Sequence, residues 1–330
     1  MSFATISRHP LRKTATFVAV ALSALALAAG RAEADDLIDG SVRAHMLAHK
    51  DGRVAHLESE YNDVFVEKRG PLLALTTRVR NEKFFHSIVN LTDPDDMPAP
   101  YTRLMTAGLL YPPSIRHILM VGLGAGSIST YLGRAMPDVQ IDVVELDPGV
   151  IAAGRKYFGL KETDKIHLIE SDGRVYLNRS KERYDLIILD AFRELGIPFH
   201  LLTREFFELI KNRLAPGGAV ASNLAATTKL YVSALVTLRA VFPTLDTYSD
   251  WKETDERQSI AVATLSPRPS ADELKQRAQA LERHYHFRYP PQGYVGRRVT
   301  DENADGGELL TDDFAPVNLY ETEPLPKKKR

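Results

Sequence analysis

The sequence predicts an α/β protein in which a parallel sheet, covered by helices on both faces, follows a small β-rich region. Two observations predict this class. From residue 115 onward, short and nearly continuous apolar runs alternate with segments whose apolar residues have helical spacing. In addition, the first of these runs ends in a glycine-rich stretch that opens a helix, as in nucleoside-binding folds. The 330 residues suffice for one large or two modest domains.

The elements of the parallel sheet follow from that alternation. Six strands are predicted, at 117–121, 140–146, 165–170, 184–190, 218–224 and 259–265. Five helices are predicted, at 127–135, 148–157, 203–214, 228–241 and about 270–285. The strands are almost entirely apolar, which is typical of strands buried on both faces. Ligands bind such sheets at the carboxyl ends of the strands, so we expect the functional residues there.

The region before the parallel sheet has a different pattern. Three strands are expected in it, at 61–67, 72–79 and 84–91, with a turn at Arg69-Gly70-Pro71 between the first two. A segment with helical spacing, 101–110, ends at two prolines. The predicted organisation is a small N-terminal β domain over 35–112, an α/β domain over 113–318 and a basic tail over 319–330.

The first 34 residues have the pattern of a secretory signal. A basic start precedes an apolar run from Ala15 to Gly30, and the triplet Ala32-Glu33-Ala34 provides a cleavage site. The run is 16 residues long, which is short for a membrane span. We expect cleavage after Ala34 and a periplasmic or secreted protein without a stable membrane span. A cytoplasmic or membrane-anchored protein with an uncleaved segment is the alternative.

The composition excludes several classes of function. The net charge of −1 gives no indication of a nucleic-acid partner. Cysteine is absent, which excludes disulfides, thiolate metal sites and a cysteine nucleophile. His284 and His286 are two residues apart and would not share a helix face. No group of histidines and acids shows metal-ligand spacing, so we predict that no metal is bound. We expect small molecules, a donor and an acceptor, as the binding partners.

Three glycines at alternate positions, Gly122, Gly124 and Gly126, follow the first strand of the predicted sheet. Glycines at such a turn let the chain reverse tightly and let a ligand approach the backbone. Their G-x-G-x-G spacing differs from the G-x-G-x-x-G that binds pyrophosphate, and it suits an S-adenosyl ligand, which has no phosphate. Glu145 ends the second strand, where a carboxylate can accept hydrogen bonds from both ribose hydroxyls. The stretch therefore predicts a nucleoside-binding unit.

Further acids stand at the ends of the following strands. Asp172 precedes Gly173 and can accept a hydrogen bond from the exocyclic amine of adenine. Asp190 ends the strand expected beside the glycine loop, where a carboxylate can take a proton from an amine or stabilise a positive charge. A helix cap or a buried ion pair is the alternative for Asp190, and a helix cap is the expected role of Asp147.

The order of these motifs resembles that of the spermidine synthases, the polyamine aminopropyltransferases. The likeness also includes 101–105, 197–207 and 311–317, and it spans roughly 58–318. It implies a Rossmann-like domain of the S-adenosylmethionine-dependent methyltransferase type beside a small N-terminal β domain, assembled as a homodimer. It also implies a transferase of polyamine biosynthesis in which an amine attacks the carbon next to the donor's sulfonium. The donor co-substrate would be decarboxylated S-adenosylmethionine or S-adenosylmethionine.

The resemblance implies a role for each matching residue. Glu145 corresponds to the acid that binds ribose, Asp172 to the acid that holds adenine, and Asp190 to the base that acts on the amine. Tyr101, at the mouth of the acceptor site, is the second expected catalytic residue. Four other positions are expected on the substrate side: Arg103 beside Tyr101, His86 in the place of a glutamine near the donor, Arg193 after Asp190, and His200 in the substrate-side loop.

Three departures from the family pattern put the substrates in question. Ala125 replaces an aspartate that binds the donor's amine, Arg193 replaces the second acid after the catalytic aspartate, and Arg103 replaces a glutamate. Two arginines facing the cleft would repel a cationic polyamine and favour carboxylates or phosphates. We therefore expect weak use of putrescine. A methyltransferase that uses S-adenosylmethionine and a non-catalytic nucleoside-binding module are the alternatives.

Overall fold

The structure is a computed structural model that describes residues 37–61, 63–79, 82–191, 197–226, 229–249 and 258–314, with the side chains of 78–79 and 82–86 left aside. The predicted signal segment, Arg193, the side chain of His86 and the basic tail lie outside the described residues. No helix among the described residues is long and apolar enough to cross a membrane.

The strands and helices alternate along most of the chain. The strands are β1 (Gly52–Glu58), β2 (Asp63–Arg69), β3 (Leu72–Val79), β4 (Glu82–Asn90), β5 (His117–Val121), β6 (Gln140–Glu145), β7 (Ile166–Glu170), β8 (Tyr184–Leu189), β9 (Leu214–Ala225), β10 (Thr244–Ser249), β11 (Gln258–Thr264) and β12 (Arg298–Val299). The helices are α1 (Gly40–Ala48), α2 (Pro100–Met105), α3 (Ser127–Ala135), α4 (Pro148–Tyr157), α5 (Gly173–Arg179), α6 (Arg204–Arg213), α7 (Lys229–Val241), α8 (Ala271–His284) and α9 (Gln292–Val295). Two 3₁₀ turns, Thr106–Leu110 and Phe199–Leu201, complete the regular structure of the described residues.

The N-terminal sheet is an antiparallel meander in the order β1-β2-β3-β4. The three strands expected from the sequence are confirmed, with bounds shifted by up to two residues, and β1 joins them at the edge. Alternate side chains of β2 and β3, such as Val64 and Leu75, are buried in the main hydrophobic core, together with Ile151 of α4. One core therefore joins the small sheet to the α/β part of the molecule.

The large sheet has the order β12-β10-β11-β9-β8-β5-β6-β7. The five strands from β9 to β7 are parallel, as predicted. The prediction is wrong for β11, which is antiparallel to both β9 and β10. A parallel neighbour requires a crossover connection of a dozen residues or more, and only residues 250–257 separate β11 from β10, so β11 returns in the opposite direction. The order reverses between β5 and β8, which places the expected ligand crevice at the carboxyl ends of these two strands.

Residues 100–110 pack on the large sheet, although the sequence-based division assigns them to the N-terminal domain. The 3₁₀ turn that follows α2 lies so close to β8 and β9 that a Cβ on Gly108 would meet Ala221 Cβ at 2.9 Å and Leu186 Cδ1 at 3.0 Å. Only glycine fits this contact without displacing a strand side chain. The packing fixes α2, and with it Tyr101, against the large sheet.

The capping role predicted for Asp147 is confirmed. Its Oδ1 accepts a hydrogen bond of 2.8 Å from the backbone N–H of Gly149 in the first turn of α4. Its Oδ2 accepts a second bond, of 2.7 Å, from the hydroxyl of Ser59, which follows β1. The same carboxylate therefore begins a helix and ties the end of the β1–β2 hairpin to the large sheet.

A polar cluster around Asp142 joins four strands near their amino ends. Asp142 Oδ2 lies 2.9 Å from His117 Nε2 and 3.1 Å from the hydroxyl of Tyr184, and Oδ1 lies 3.0 Å from His167 Nδ1. Burial alone would raise the pKa of Asp142, but the hydrogen bonds from the two histidines outweigh it and lower the pKa to about 2. The ionised carboxylate therefore stabilises the folded state.

We predict that Asp142→Asn lowers the free energy of unfolding by about 2 kcal/mol at pH 7, which follows from a pKa lowered from 3.8 to about 2. Because the folded-state pKa is depressed, this contribution is complete above the unfolded value of 3.8 and is lost as the pH falls towards 2. Urea unfolding at a series of pH values measures both effects. The exposed Asp164→Asn is the control, and an acid limb that is the same in wild type and Asp142→Asn would contradict the prediction.

Candidate functional site

The glycine loop after β5 forms the floor of the site. Gly122, Gly124 and Gly126 all have positive φ angles, of 101°, 55° and 75°, which L side chains rarely adopt. A Cβ on Gly122 would lie 2.3 Å from the backbone oxygen of Asp190. The first glycine is therefore required both by the turn and by the close approach of the ends of β5 and β8.

Glu145 lies beside this loop, at the end of β6. Its Oε2 accepts a hydrogen bond of 2.9 Å from the N–H of Leu123, and its Oε1 accepts one of 2.9 Å from the N–H of Asp147. Burial raises the pKa of Glu145, and these backbone bonds oppose that effect. The backbone N–H of Leu146 also bonds to the carboxylate, which lines the cleft and can accept hydrogen bonds from a ligand there.

Asp172 stands across the cleft, at the start of α5. Its Oδ1 accepts a hydrogen bond of 2.9 Å from the N–H of Val175, and its Oδ2 lies 2.9 Å from Nε2 of His200. Gly173 serves the packing of the helix, since a Cβ there would lie 2.4 Å from Cγ1 of Val121. The carboxylate is thus held by its own helix and by the loop that contains His200.

These groups line one open cleft of about 590 Å³, a volume that includes the open solvent at its mouth. Gly122, Glu145, Asp172, Gly173 and His200 line it together, which brings five of the residues expected from the sequence into one place. The wall also contains residues that sequence reasoning missed, among them Tyr61, Leu146, Ser171 and Pro198. Its combination of apolar wall and carboxylates suits a nucleoside.

Asp190 follows β8, next to the cleft, and is held by two neighbours. Its Oδ1 accepts a hydrogen bond of 2.8 Å from Nδ2 of Asn223, and the side chain of Tyr101 also hydrogen-bonds to it. Burial raises the pKa of Asp190 to about 7, against the opposing effect of both hydrogen bonds. A carboxylate with a pKa near neutrality can take up and release a proton under ordinary conditions.

Sequence reasoning missed Asn223. Strand β9 is parallel to β8 with Ser222 opposite Leu189, so the next residue of each strand, Asn223 and Asp190, come together at the carboxyl edge. Two consecutive polar residues inside the otherwise apolar strand 218–224 were the available signal. The amide is completely buried and its Oδ1 has no recorded partner among the described residues.

Known proteins are similar to this chain in both sequence and architecture. The family model described as spermine/spermidine synthase domain matches residues 99–250. The polyamine aminopropyltransferase of Vibrio vulnificus is 35% identical over 234 residues, which cover 69% of this chain and 78% of the relative. The chain belongs to the spermine/spermidine synthase family. The members of this family that match the chain include transferases of polyamine biosynthesis.

Two solved structures support the fold assignment. A probable spermidine synthase from Corynebacterium glutamicum has a TM-score of 0.61 and 20% identity, and covers 80% of this chain and 98% of its own. Human methyltransferase-like protein 13, solved in complex with SAH, has a TM-score of 0.51 and 30% identity, and covers 56% of this chain and 91% of its own. The Rossmann-like methyltransferase type and the small N-terminal sheet are therefore confirmed.

The structure corrects the prediction for Arg103. Its Nε donates a hydrogen bond of 2.6 Å to the backbone oxygen of Met97, and its guanidinium lies 4.5 Å from the ring centroid of Tyr289. Asp96 is 4.0 Å away on the same side. Residues two apart on a helix point about 200° from each other, so Arg103 and Tyr101 lie on different faces of α2. Because Tyr101 contacts Asp190, Arg103 faces away from Asp190.

Strand pairing also corrects the expectation that histidines and acids nowhere have metal-ligand spacing. His56, Glu58 and Asp63 each place a ligand atom within 4.8 Å of the other two. The sequence pattern does not reveal this group, because two of its members lie on β1 and the third on β2. The register that pairs Glu58 with Asp63 brings them together.

We predict that Glu145→Gln weakens the binding of methylthioadenosine by about tenfold or more, because charge-assisted hydrogen bonds of roughly 1.5–3 kcal/mol each are lost. Isothermal titration calorimetry measures the change, and thermal unfolding checks that the fold persists. Glu170→Gln is a matched control, since Glu170 pairs with Glu145 on the neighbouring strand but is exposed. Unchanged affinity in a folded Glu145→Gln protein would remove the ribose assignment.

Proposed function

We propose that this protein transfers a group from an S-adenosyl donor to an amine, in the manner of the aminopropyltransferases of polyamine biosynthesis. The observation that carries the proposal is the position of Asp190. A carboxylate with a pKa of about 7 follows the strand next to the glycine loop, and its neighbours Gly122 and Ala191 line the cleft. A protein that only bound a nucleoside would have no evident need for this group.

The donor is proposed to occupy the cleft above the glycine loop. Glu145 would accept hydrogen bonds from the two ribose hydroxyls, and Asp172 would accept one from the exocyclic amine of adenine. The exposed side chain of Leu146, in the cleft wall, offers an apolar surface to the purine ring. This arrangement directs the sulfonium end of the donor towards the end of β8, where Asp190 stands.

In the proposed reaction, the nitrogen of the acceptor attacks the carbon next to the sulfonium. A C–N bond forms, the C–S bond breaks, and its electron pair stays on sulfur as a neutral thioether. The proton of the amine passes to the carboxylate of Asp190, whose pKa allows it to be ionised at neutral pH. Tyr101 and Asn223 orient this carboxylate, and most of the rate comes from positioning, because a sulfonium is already a good leaving group.

The contacts of Arg103 remove one objection to a cationic amine as the acceptor. The argument that two arginines repel polyamines loses one of them, because Arg103 packs against Tyr289 and Met97. Arg193 lies outside the described residues. The expectation of weak putrescine use therefore rests on Arg193 and on the missing acid at Ala125.

A methyltransferase is the second candidate, and a specific observation favours it. Ala125 is buried among apolar residues of the core, so the glycine loop offers no carboxylate to a donor at this position. Such a loop does not repel the carboxylate of S-adenosylmethionine. The human methyltransferase that resembles this chain was solved with SAH. The two candidates share the cleft and differ in the carbon that is attacked.

An assay of the two by-products separates the candidates. The protein is incubated with putrescine and either decarboxylated S-adenosylmethionine or S-adenosylmethionine, and the nucleosides are identified by mass spectrometry. Aminopropyl transfer releases methylthioadenosine from the decarboxylated donor, whereas methyl transfer releases S-adenosylhomocysteine from the other. We expect methylthioadenosine. Release of S-adenosylhomocysteine alone, with this or another amine acceptor, would favour the methyltransferase and contradict the proposal.

We predict that Asp190→Asn lowers turnover by roughly 10²–10⁴-fold, the range for a positioned base, and leaves donor affinity nearly unchanged. In the wild type, the rate should rise with pH through about 7, because the base acts when it is ionised. This limb of the profile should be absent from the variant. Asp164→Asn, at an exposed position, is the control. A variant that binds and turns over like the wild type would make Asp190 a structural group.

A further inference from the structure

A compact group of three potential metal ligands lies on the N-terminal sheet. His56 and Glu58 are two residues apart on β1 and so share one face of the strand. Asp63 pairs directly with Glu58 across the β1–β2 ladder, and His56 pairs with Phe65. All three side chains therefore stand on the same face, on the side away from the core that buries Val64 and Val66.

The three groups lie close enough to share a small divalent cation after rotation of their side chains. Nε2 of His56 is hydrogen-bonded to Asp63 Oδ1, closer than two ligands of one ion lie, so a bound ion would replace this hydrogen bond. The same nitrogen lies 3.9 Å from Glu58 Oε1. A tetrahedral ion with ligands at about 2.0–2.2 Å holds its ligand atoms about 3.4 Å apart. Glu58 is the most exposed of the three side chains, and a rotation about its side-chain bonds closes the remaining gap.

The imidazole is already oriented by packing. The ring of His56 stacks on that of Phe65, with 4.3 Å between the centroids and an angle of 9° between the planes. The guanidinium of Arg53 lies 4.6 Å from the centroid of the same Phe65 ring. An imidazole that is fixed before binding loses less entropy when it binds a metal, which favours binding. The positive charge of Arg53 has the opposite effect, because it repels a cation and so limits the affinity.

We propose that His56, Glu58 and Asp63 bind a zinc-class divalent cation, with water completing the coordination. One imidazole nitrogen and two carboxylates suit zinc, cobalt or nickel. Magnesium takes oxygen ligands and does not favour imidazole, so it should bind here far more weakly. The site is independent of the chemistry proposed for the cleft.

A short segment of chain connects the proposed metal site to the cleft. Residues 59–61, which follow Glu58 directly, carry the hydroxyl that bonds to Asp147 and the side chain of Tyr61, which lines the cleft. The proposed ligands stand on both strands where this connection begins and ends. A bound ion would therefore hold the two strands together next to this connection and restrict the part of the hairpin that contributes to the cleft wall.

Zinc titration of the full protein tests the proposal directly. Calorimetry should detect one zinc ion per chain, and His56→Ala should lower its affinity by tenfold or more. Asp63→Asn and Glu58→Gln should also weaken binding, whereas His286→Ala, at an exposed position in the segment after α8, should not. Magnesium chloride at the same concentration is the comparison for the type of cation.

Hydrogen exchange of the peptide that contains residues 59–61 tests the effect on the hairpin. Zinc should slow its exchange in the wild type and in His286→Ala but not in His56→Ala. Zinc affinity that is the same in His56→Ala and wild type, or no zinc binding at all, would overturn the metal site. Binding that depends on His56 without any change in exchange would overturn the bracing of the hairpin. Neither readout depends on nucleoside binding or turnover, so both stand apart from the proposed function.

Discussion

The close approach of the glycine loop to the end of β8 is the contact on which the site depends. With 2.3 Å between a hypothetical Cβ of Gly122 and the backbone oxygen of Asp190, any other residue would push the two strand ends apart. The cleft is lined by residues at the ends of β5, β6 and β7, whereas the proposed base follows β8. The contact holds these two parts together at the point where the strand order reverses.

Three carboxylates at one edge of the sheet acquire different properties from their surroundings. Glu145 accepts two backbone N–H groups, and Asp172 is held by a helix start and by His200. Among the described residues, Asp190 accepts hydrogen bonds from the side chains of Asn223 and Tyr101, and burial dominates its pKa. The first two are suited to accept hydrogen bonds from a ligand, and the third is suited to exchange a proton.

The partners of Arg103 show why substrate preference is difficult to infer from an exchange of charge alone. The sequence places an arginine where the family has an acid, but the side chain finds a backbone carbonyl, an aromatic ring and Asp96 on the far face of α2. A long side chain can turn away from the position of its backbone, and the local partners decide its direction. The glycine loop differs, because the methyl group of Ala125 is buried and short.

The sequence by itself determined the order of the elements and the strand-end acids. Apolar periodicity is a local property, so helices such as 127–135 and 148–157 were predicted with the bounds that the structure has. The G-x-G-x-G turn is equally local, because each of its glycines needs a positive φ angle. The cap at Asp147 follows from its position before a proline at the start of a helix.

Tertiary structure alone decided the contacts between residues distant along the chain. The pairing of Asn223 with Asp190, the partners of Arg103 and the group formed by His56, Glu58 and Asp63 all depend on register or on the packing of neighbouring elements. The antiparallel direction of β11 likewise depends on its insertion between β9 and β10. Periodicity reveals which face of an element is buried, but the partner across that face is set by the complete sheet.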